Sequence, residues 1–507
     1  MKKYKKLWLT KLIHICTRGI EHSPESPGPP DPPSKSNNHI NLAQKYDGKL
    51  LLRNEIHLND ECFSKLLERQ LFTAHASFVR TLFTKRCVRC NNEKRSLIGY
   101  FPCAKCRITH AYCRNCIMMG RVSKCEQLYE WTGTNYPWKK HEQACTWKGE
   151  LTFAQNQAAN EVKLAVKKQT EQLVWAVTGA GKTEILFKGI ELALSQGKRV
   201  CIATPRADVV RELLPRIQRA FAKIPVQGLY GKSRDREGTS QLIISTTHQL
   251  VRFSNAFDVI IIDEIDAFPY HHDQSLQFAT NRAAKRSSTK IYLTATPRQN
   301  LKYKLSTNQL PHCFVPIRYH GYPLPVPKHI SDYSLAKQLD AQLLPKSFVN
   351  WLQNRKKEER QLLIFVPTIH LAEQLRAEVS NVLIRKKQIT NKLTVASVHA
   401  DDKLREQKIQ LFRQKKLYAL ITTTILERGV TFPSIDVVVI QANHKVFDEA
   451  ALVQIAGRAG RNKIDPTGEV LFIHDGKTNA IARSITSIKQ MNQRGKRLLL
   501  TVGEEIK

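Results

Sequence analysis

The stretch Ala176-Val-Thr-Gly-Ala-Gly-Lys-Thr183 can sit in few places in a folded chain. It follows an apolar run, Leu173–Val177, and precedes an amphipathic run, 184–196, closed by Gly197. Small residues between a strand and a helix let successive backbone N–H groups curl around an anion, and the helix N-terminus adds partial positive charge. The pattern is a phosphate-binding loop, with Ala176 where the strict form has glycine. Thr178, Gly179, Ala180 and Gly181 form the cradle, Lys182 reaches the β and γ phosphates, and the Thr183 hydroxyl ligates Mg²⁺.

A loop of this kind belongs to an open parallel sheet, and the flanking sequence agrees. Apolar runs at 173–177, 199–204, 241–247, 258–263 and 290–295 alternate with amphipathic segments. Such short runs suit strands buried on both faces. A Pro-rich stretch at 311–330 interrupts them, and the pattern restarts at 361–366, 394–399, 418–424, 434–441 and 469–473. The reading is α/β, with two tandem RecA-like parallel-sheet lobes. Boundaries fall at 1–46 (a basic, Pro-rich tail without a core), 47–148 (a helical and cysteine-rich module), 149–320 and 321–482 (the two lobes) and 483–507 (a C-terminal helix or tail). Residues 47–84 are expected to be helical, from the spacing of Phe63, Leu66, Leu67 and Leu71.

Asp258-Val-Ile-Ile-Ile-Asp263-Glu264-Ile-Asp266 places carboxylates at the C-terminal end of a buried strand, where such sheets bind ligands. Asp263 holds Mg²⁺ and Glu264 orients and deprotonates an attacking water. In the second unit, Gln454-Ile-Ala-Gly-Arg458-Ala-Gly-Arg461 carries two arginines on one helix face. Their planar forks suit a γ-phosphate gaining charge, Arg461 as the finger and Arg458 beside it.

Charge narrows the partner. Lys plus Arg number 80 against 44 Asp plus Glu, a net charge of +36 over 507 residues. That excess points to a polyanion. No apolar run is long enough to span a bilayer, so the chain reads as cytoplasmic, peripheral to the membrane at most. Seven of the twelve cysteines lie between Cys87 and Cys125, six of them in the pairs Cys87/Cys90, Cys103/Cys106 and Cys113/Cys116. Two such pairs make a tetrahedral sulfur set for Zn²⁺ (an iron–sulfur cluster takes similar ligands), and spacing does not decide which two. Cys125 or Cys145 could add to a second site. Ten basic residues against the single acid Glu93 between 85 and 125 suit contact with DNA.

The motif order resembles a superfamily 2 helicase or translocase. Ala203-Thr204-Pro205-Arg206, Ser245-Thr246-Thr247-His248-Gln249, Thr294-Ala295-Thr296-Pro297, Phe365-Val366-Pro367-Thr368, Thr422-Thr423-Thr424 with Glu427-Arg428-Gly429-Val430, and Gln454 to Arg461 carry the resemblance. It implies ATP as fuel, Gln155 reading adenine, Gly429 and Gln454 at the nucleotide, and strand contacts from Thr204, Arg206, Thr247, Thr368 and Thr423. Longer phrases, among them Cys113-Arg-Asn-Cys116-Ile-Met-Met-Gly-Arg-Val-Ser and Ile262-Asp-Glu-Ile-Asp-Ala-Phe-Pro-Tyr270, resemble the ComFA family of competence proteins. That resemblance implies zinc on Cys87, Cys90, Cys113 and Cys116, with Cys103 and Cys106 extra to the pattern. It also implies ATP-driven movement of single-stranded DNA, a membrane channel partner ComEC, contact with ComFC, and room for a homo-oligomer. A PriA-like replication-restart helicase fits less well, because there the cysteines interrupt the second lobe. A zinc-bearing DNA-binding scaffold with weak ATPase is opposed by the intact Lys182, Thr183, Asp263, Glu264 and Arg461.

Overall fold

The computed structural model describes residues 35–503 except 83, 232, 234 and 236. Among these residues two parallel sheets dominate. The first runs in the order Val226–Leu229, Leu242–Thr246, Val200–Thr204, Phe257–Ile262, Ala284–Thr294, Glu171–Ala176, His312–Val315. The second runs Lys328–Ser331, Val470–His474, Ile435–Ile440, Gln361–Phe365, Ala419–Thr422, Val395–Val398. Every pairing in both is parallel. The two-lobed expectation is met. All ten expected strands are present, because their Val- and Ile-rich runs are buried on both faces, as in Val200–Thr204 and Ile435–Ile440.

Strand order explains where ligands gather. In the first sheet the strand before the phosphate loop, Glu171–Ala176, lies two positions from Phe257–Ile262, with Ala284–Thr294 between them. Their C-terminal ends therefore open on one edge, carrying Lys182 and Asp263 towards a common space. The helix after the loop starts at Lys182, breaks at Leu186 and resumes over Phe187–Ser195. The helix Asn479–Val502 crosses the expected 482/483 boundary and packs back on the first sheet, where the Arg494 guanidinium lies 4.2 Å from the Phe314 ring centre.

The N-terminal part differs from the sequence reading in two respects. Residues 35–46, assigned there to the tail, form the helix Lys35–Tyr46, whose end buries Ala43 and Tyr46 beside Phe72 and Trp131; the Pro-rich segment before it lies outside the described residues. The apolar spacing over 47–84 marks only one helix, Asp60–Glu68, capped by the Asn59 side chain accepting from Cys62 N–H. Around it, Leu50–Leu52 and Phe72–Ala76 pair antiparallel with Gln127–Trp131. The stretch Phe72–Ala76 alternates apolar and polar residues in the period of a strand, which the neighbouring helix pattern obscured. A second small sheet, Ile98–Pro102, Thr109–Cys113 and Val122–Ser123, carries Cys113. No helix among the described residues is long and apolar enough to cross a membrane.

Candidate nucleotide cleft and cysteine centre

Gly179 and Gly181 bend the phosphate loop at φ of 80° and 71°, a region that costs other residues energy. Gly181 also admits a close neighbour. A Cβ there would lie 2.3 Å from Gln155 Nε2. Gln155 is spent on bracing this loop. Its Nε2 donates to Ala180 C=O at 2.9 Å, and its Oε1 accepts from Thr152 N–H at 2.8 Å. It is buried, with its amide turned to the loop backbone, and is not among the residues lining the cleft.

The cleft measures about 440 Å³ and takes its walls from both lobes. The first lobe supplies residues 178–183 with Asp263 and Glu264; the second supplies Gly429, Gln454, Arg458 and Arg461. Every expected nucleotide-site residue except Gln155 therefore meets at one space. Tyr319, which sequence reasoning passed over, also lines it, its N–H donating to Gly179 C=O at 3.0 Å.

The electrostatics of the cleft are out of balance in a way that a phosphate and a cation would correct. Arg458 is fully buried and donates Nε to Glu427 C=O at 2.9 Å, yet its Nη1 has no hydrogen-bond partner. Arg461 is anchored through Nε to Gly457 C=O at 2.9 Å. Burial depresses both guanidinium pKa values, and for Arg458 the charge of Arg461 depresses it further. Burial likewise depresses Lys182, against the pull of Asp263 and Glu264. An anion joining such groups favours their charged forms and offsets the cost of burying them.

On the acidic side, burial and then the neighbouring Glu264 charge push the Asp263 carboxyl up to about 6. A divalent cation relieves that strain, so the site fits Mg²⁺ on its own chemistry. The shift has a sign that can be tested. Because the folded acid binds its proton more tightly than an unfolded one, Asp263 destabilises the metal-free chain as pH rises from near 4 to about 6, and the penalty is fully present above that. Magnesium must displace the proton. Its affinity, titrated calorimetrically with ADP present, should be flat above neutrality and fall as pH drops below about 6.

Glu264 has a left-handed backbone, φ 55°, at a cost of about 1–3 kcal/mol. Its N–H is held by Asp263 Oδ1 at 2.9 Å. One carboxylate oxygen, Oε2, is buried and accepts no hydrogen bond; Arg428 Nη1 lies 3.8 Å away. An oriented carboxylate with a spare oxygen is what a base for water requires.

Contacts across the cleft include several that the sequence did not announce. Arg428 of the second lobe pairs with Asp266 of the first, both almost fully buried. Thr294 and Thr296 hydroxyls each donate to Asp266 at 2.6 Å. Arg428 and these hydrogen bonds outweigh the burial of Asp266 and hold its carboxyl well below the usual range. Gly457 sits so close to the loop that a Cβ would lie 1.8 Å from Thr178 Oγ1. Arg206, expected on a strand, instead donates to Glu427 Oε1 at 2.9 Å across the lobes.

Two further expected strand contacts are corrected. Thr204, the last residue of its strand, and Thr247, the first residue after the strand Leu242–Thr246, are completely buried, and their hydroxyls reach no surface in this arrangement. Thr368 is exposed and caps the helix Ile369–Arg385 by accepting from Leu371 N–H at 3.2 Å; Thr423 is half-buried.

Of the three cysteine pairs, the structure assembles the first and third. The sulfurs of Cys87, Cys90, Cys113 and Cys116 all lie within 4.8 Å of one another and are buried. Cys87 to Cys116 is 3.9 Å and Cys90 to Cys113 is 3.5 Å. Four buried thiols with that spacing fit a zinc-binding module. The loop around them is clamped to the first lobe. Arg282 Nη1 donates to Val88 C=O at 3.3 Å and Arg89 C=O at 2.6 Å, and Arg89 Nη2 donates to Glu55 Oε2 at 2.5 Å. Glu55 Oε1 in turn accepts from Arg252 Nε at 3.0 Å.

Comparison with known proteins agrees with this layout. Residues 34–130 match the family model "Competence protein ComFA N-terminal domain", 148–299 "Type III restriction enzyme, res subunit", and 342–463 "Helicase conserved C-terminal domain". Competence protein ComFA of Bacillus subtilis (strain 168) is 44% identical over 454 residues, which cover 89% of this chain and 95% of that protein. This chain belongs to the ComFA family. The Streptococcus pneumoniae (strain ATCC BAA-255 / R6) ComFA is 37% identical, over 88% of this chain and 98% of that protein. Among solved structures, S. cerevisiae Dbp5 bound to RNA and ADP BeF3 matches with a TM-score of 0.48 and 16% identity, covering 68% of this chain and 88% of that one. As a ComFA-family chain with helicase-type domains, it is a superfamily 2 helicase-like protein, and those domains imply an ATP site with Mg²⁺.

Proposed function

We propose that this chain hydrolyses ATP to walk along single-stranded DNA, and that the movement draws DNA inward during competence. The observation that carries the reading is the cleft into which each lobe places half of a phosphoryl-transfer site. Hydrolysis of the bound nucleotide's terminal phosphate, assisted by Mg²⁺, supplies the chemical energy. The chain's own residues do the rest. Gly179, Ala180 and Gly181 present N–H groups to phosphate, with Lys182 beside them. Thr183 and Asp263 hold the cation. Glu264 takes a proton from the attacking water on Oε2, which no hydrogen bond occupies. Arg458 and Arg461 meet the charge that develops on the far side. Tyr319 offers the aromatic surface against which a base rests, while Gln155 keeps the loop in shape.

Both arginines belong to the second lobe, so the lobes are held together while the terminal phosphate is present and released after it leaves. If each lobe grips the strand backbone, alternate closing and opening moves it stepwise. Exposed Thr368, half-buried Thr423 and the basic cysteine module are the contact candidates, and such contacts position a strand without reading its sequence. Zinc on Cys87, Cys90, Cys113 and Cys116 holds that module together. Family membership suggests the channel ComEC and ComFC as partners, which would put the motor at the inner face of the membrane.

ATP hydrolysis measured with and without single-stranded DNA tests the reading, together with translocation on 5′- and 3′-tailed substrates. The expected result is hydrolysis stimulated several-fold by single strands and movement in one direction. Hydrolysis indifferent to DNA would favour the zinc-bearing scaffold instead.

A further inference from the structure

Between Cys87 and Cys125 the buried quartet leaves four cysteine and histidine side chains unused: Cys103, Cys106, His110 and Cys125. Three observations bring them together. The first is backbone geometry. In the loop that starts the quartet, Cys87 C=O accepts from Asn91 N–H at 2.8 Å, Cys87 N–H donates to Asn92 C=O at 3.1 Å, and Asn91 is left-handed at φ 61°. The middle pair repeats this bond for bond. Cys103 C=O accepts from Arg107 N–H at 2.8 Å, Cys103 N–H donates to Ile108 C=O at 3.1 Å, and Arg107 stands at φ 55°. An arginine in that region is unfavourable, so the turn is imposed rather than chosen by its sequence.

The second observation is contact among the side chains. Cys106 Sγ lies 2.9 Å from His110 Nε2, and Cys103 Sγ lies 3.8 Å from Cys125 Sγ. Cys103 and Cys106 belong to one C-x-x-C turn, which links these two contacts in a row. Among the described residues only the buried quartet has all its sulfurs within 4.8 Å of one another; this second set is looser. It lies at the surface, with Cys106 and Cys125 exposed.

The third is strand register. His110 and Cys113 lie three apart on Thr109–Cys113, and successive strand side chains alternate between faces. Cys113 goes to the buried face with the quartet, and His110 to the opposite one. A single strand therefore serves two groups of ligands, one on each side.

We propose that Cys103, Cys106, His110 and Cys125 bind a second zinc ion, separate from that of the buried quartet and sharing no ligand with it. Three thiolates and one imidazole make a tetrahedral set of the softness Zn²⁺ prefers, and binding releases three thiol protons to solvent. The ion closes the row of donors into a compact site and ties the tip of the Ile98–Pro102/Thr109–Cys113 hairpin to the loop at Cys125.

The test is zinc content of the purified full-length chain, with two ions per chain expected. Cys106→Ser and His110→Ala should each bring this to one and leave the other ion in place. Cobalt substitution then separates the sites, because each of these variants should keep the four-sulfur spectrum and lose the three-sulfur, one-nitrogen bands. Should either variant fail to fold, alkylation of the unmutated chain followed by mass spectrometry still decides. Exposed Cys106 and Cys125 should resist iodoacetamide until a chelator is added. One zinc per chain, prompt labelling of both cysteines without chelator, or a Cys103–Cys125 disulfide in the native chain would each overturn the proposal.

Discussion

Replacing Glu264 by Gln should reduce ATP turnover roughly 10²–10⁴-fold, the range for losing a positioned general base. Nucleotide binding should survive, because Lys182, Thr183 and the loop N–H groups are untouched. The isosteric amide keeps the shape of the residue but cannot take the proton that Oε2, free of hydrogen bonds, is placed to receive. Lys182→Ala makes the contrast. It removes a cation that contacts phosphate in the ground state and the transition state alike, so binding of a fluorescent nucleotide and turnover should fall together. A Glu264→Gln chain that still turned over ATP at the native rate would remove the glutamate from the chemistry. Equal loss of binding in both variants would show that it holds the nucleotide rather than activating water.

The second large effect concerns the buried pair between the lobes. Arg428→Met should destabilise the chain by about 3–5 kcal/mol, because it leaves Asp266 charged and buried with only the Thr294 and Thr296 hydroxyls to satisfy it. Asp266→Ala alone should cost a similar amount, since Arg428 would then face Glu264 and Glu427 without its main partner. The double variant should recover part of the loss, as removing both partners of a buried pair costs less than removing one. Urea denaturation of the four chains measures the coupling. The pair also spans the cleft, so all three variants should slow hydrolysis through poorer closure even where they fold. Losses that simply add in the double variant would mean that the two groups do not interact across the lobes.

The lobes and the cleft were legible in the sequence because their signals are local. A strand buried on both faces is a contiguous apolar run, and a phosphate loop is a contiguous run of small residues ending in Lys182 and Thr183. Short edge strands such as Val226–Leu229 and His312–Val315 escaped, being four residues long and interrupted by Gly228 or flanked by Pro311 and Pro316. What sequence could not show were pairings made in space. Asp266 and Arg428 are 162 residues apart and each reads as one more charge in an acidic or basic motif. Spacing alone left the cysteine pairing open, while the structure closes Cys87/Cys90 on Cys113/Cys116. His110 was invisible as a ligand because it lies in no C-x-x-C pair. The strand-contacting threonines erred in the other direction. Thr204 closes a buried strand and Thr247 directly follows one, and neither position shows in sequence that its hydroxyl is buried.

The clamp of Arg282 and Glu55 on the cysteine loop has a mechanical consequence. With the loop carbonyls bonded to the first lobe, the cysteine loop is tied to that lobe, so in the proposed cycle it would stay with it while the half bearing Arg428, Arg458 and Arg461 closes and opens. A strand seated on the module would be gripped by a stator and pulled by a single moving arm, so the length of each stroke would be set by how far that arm travels.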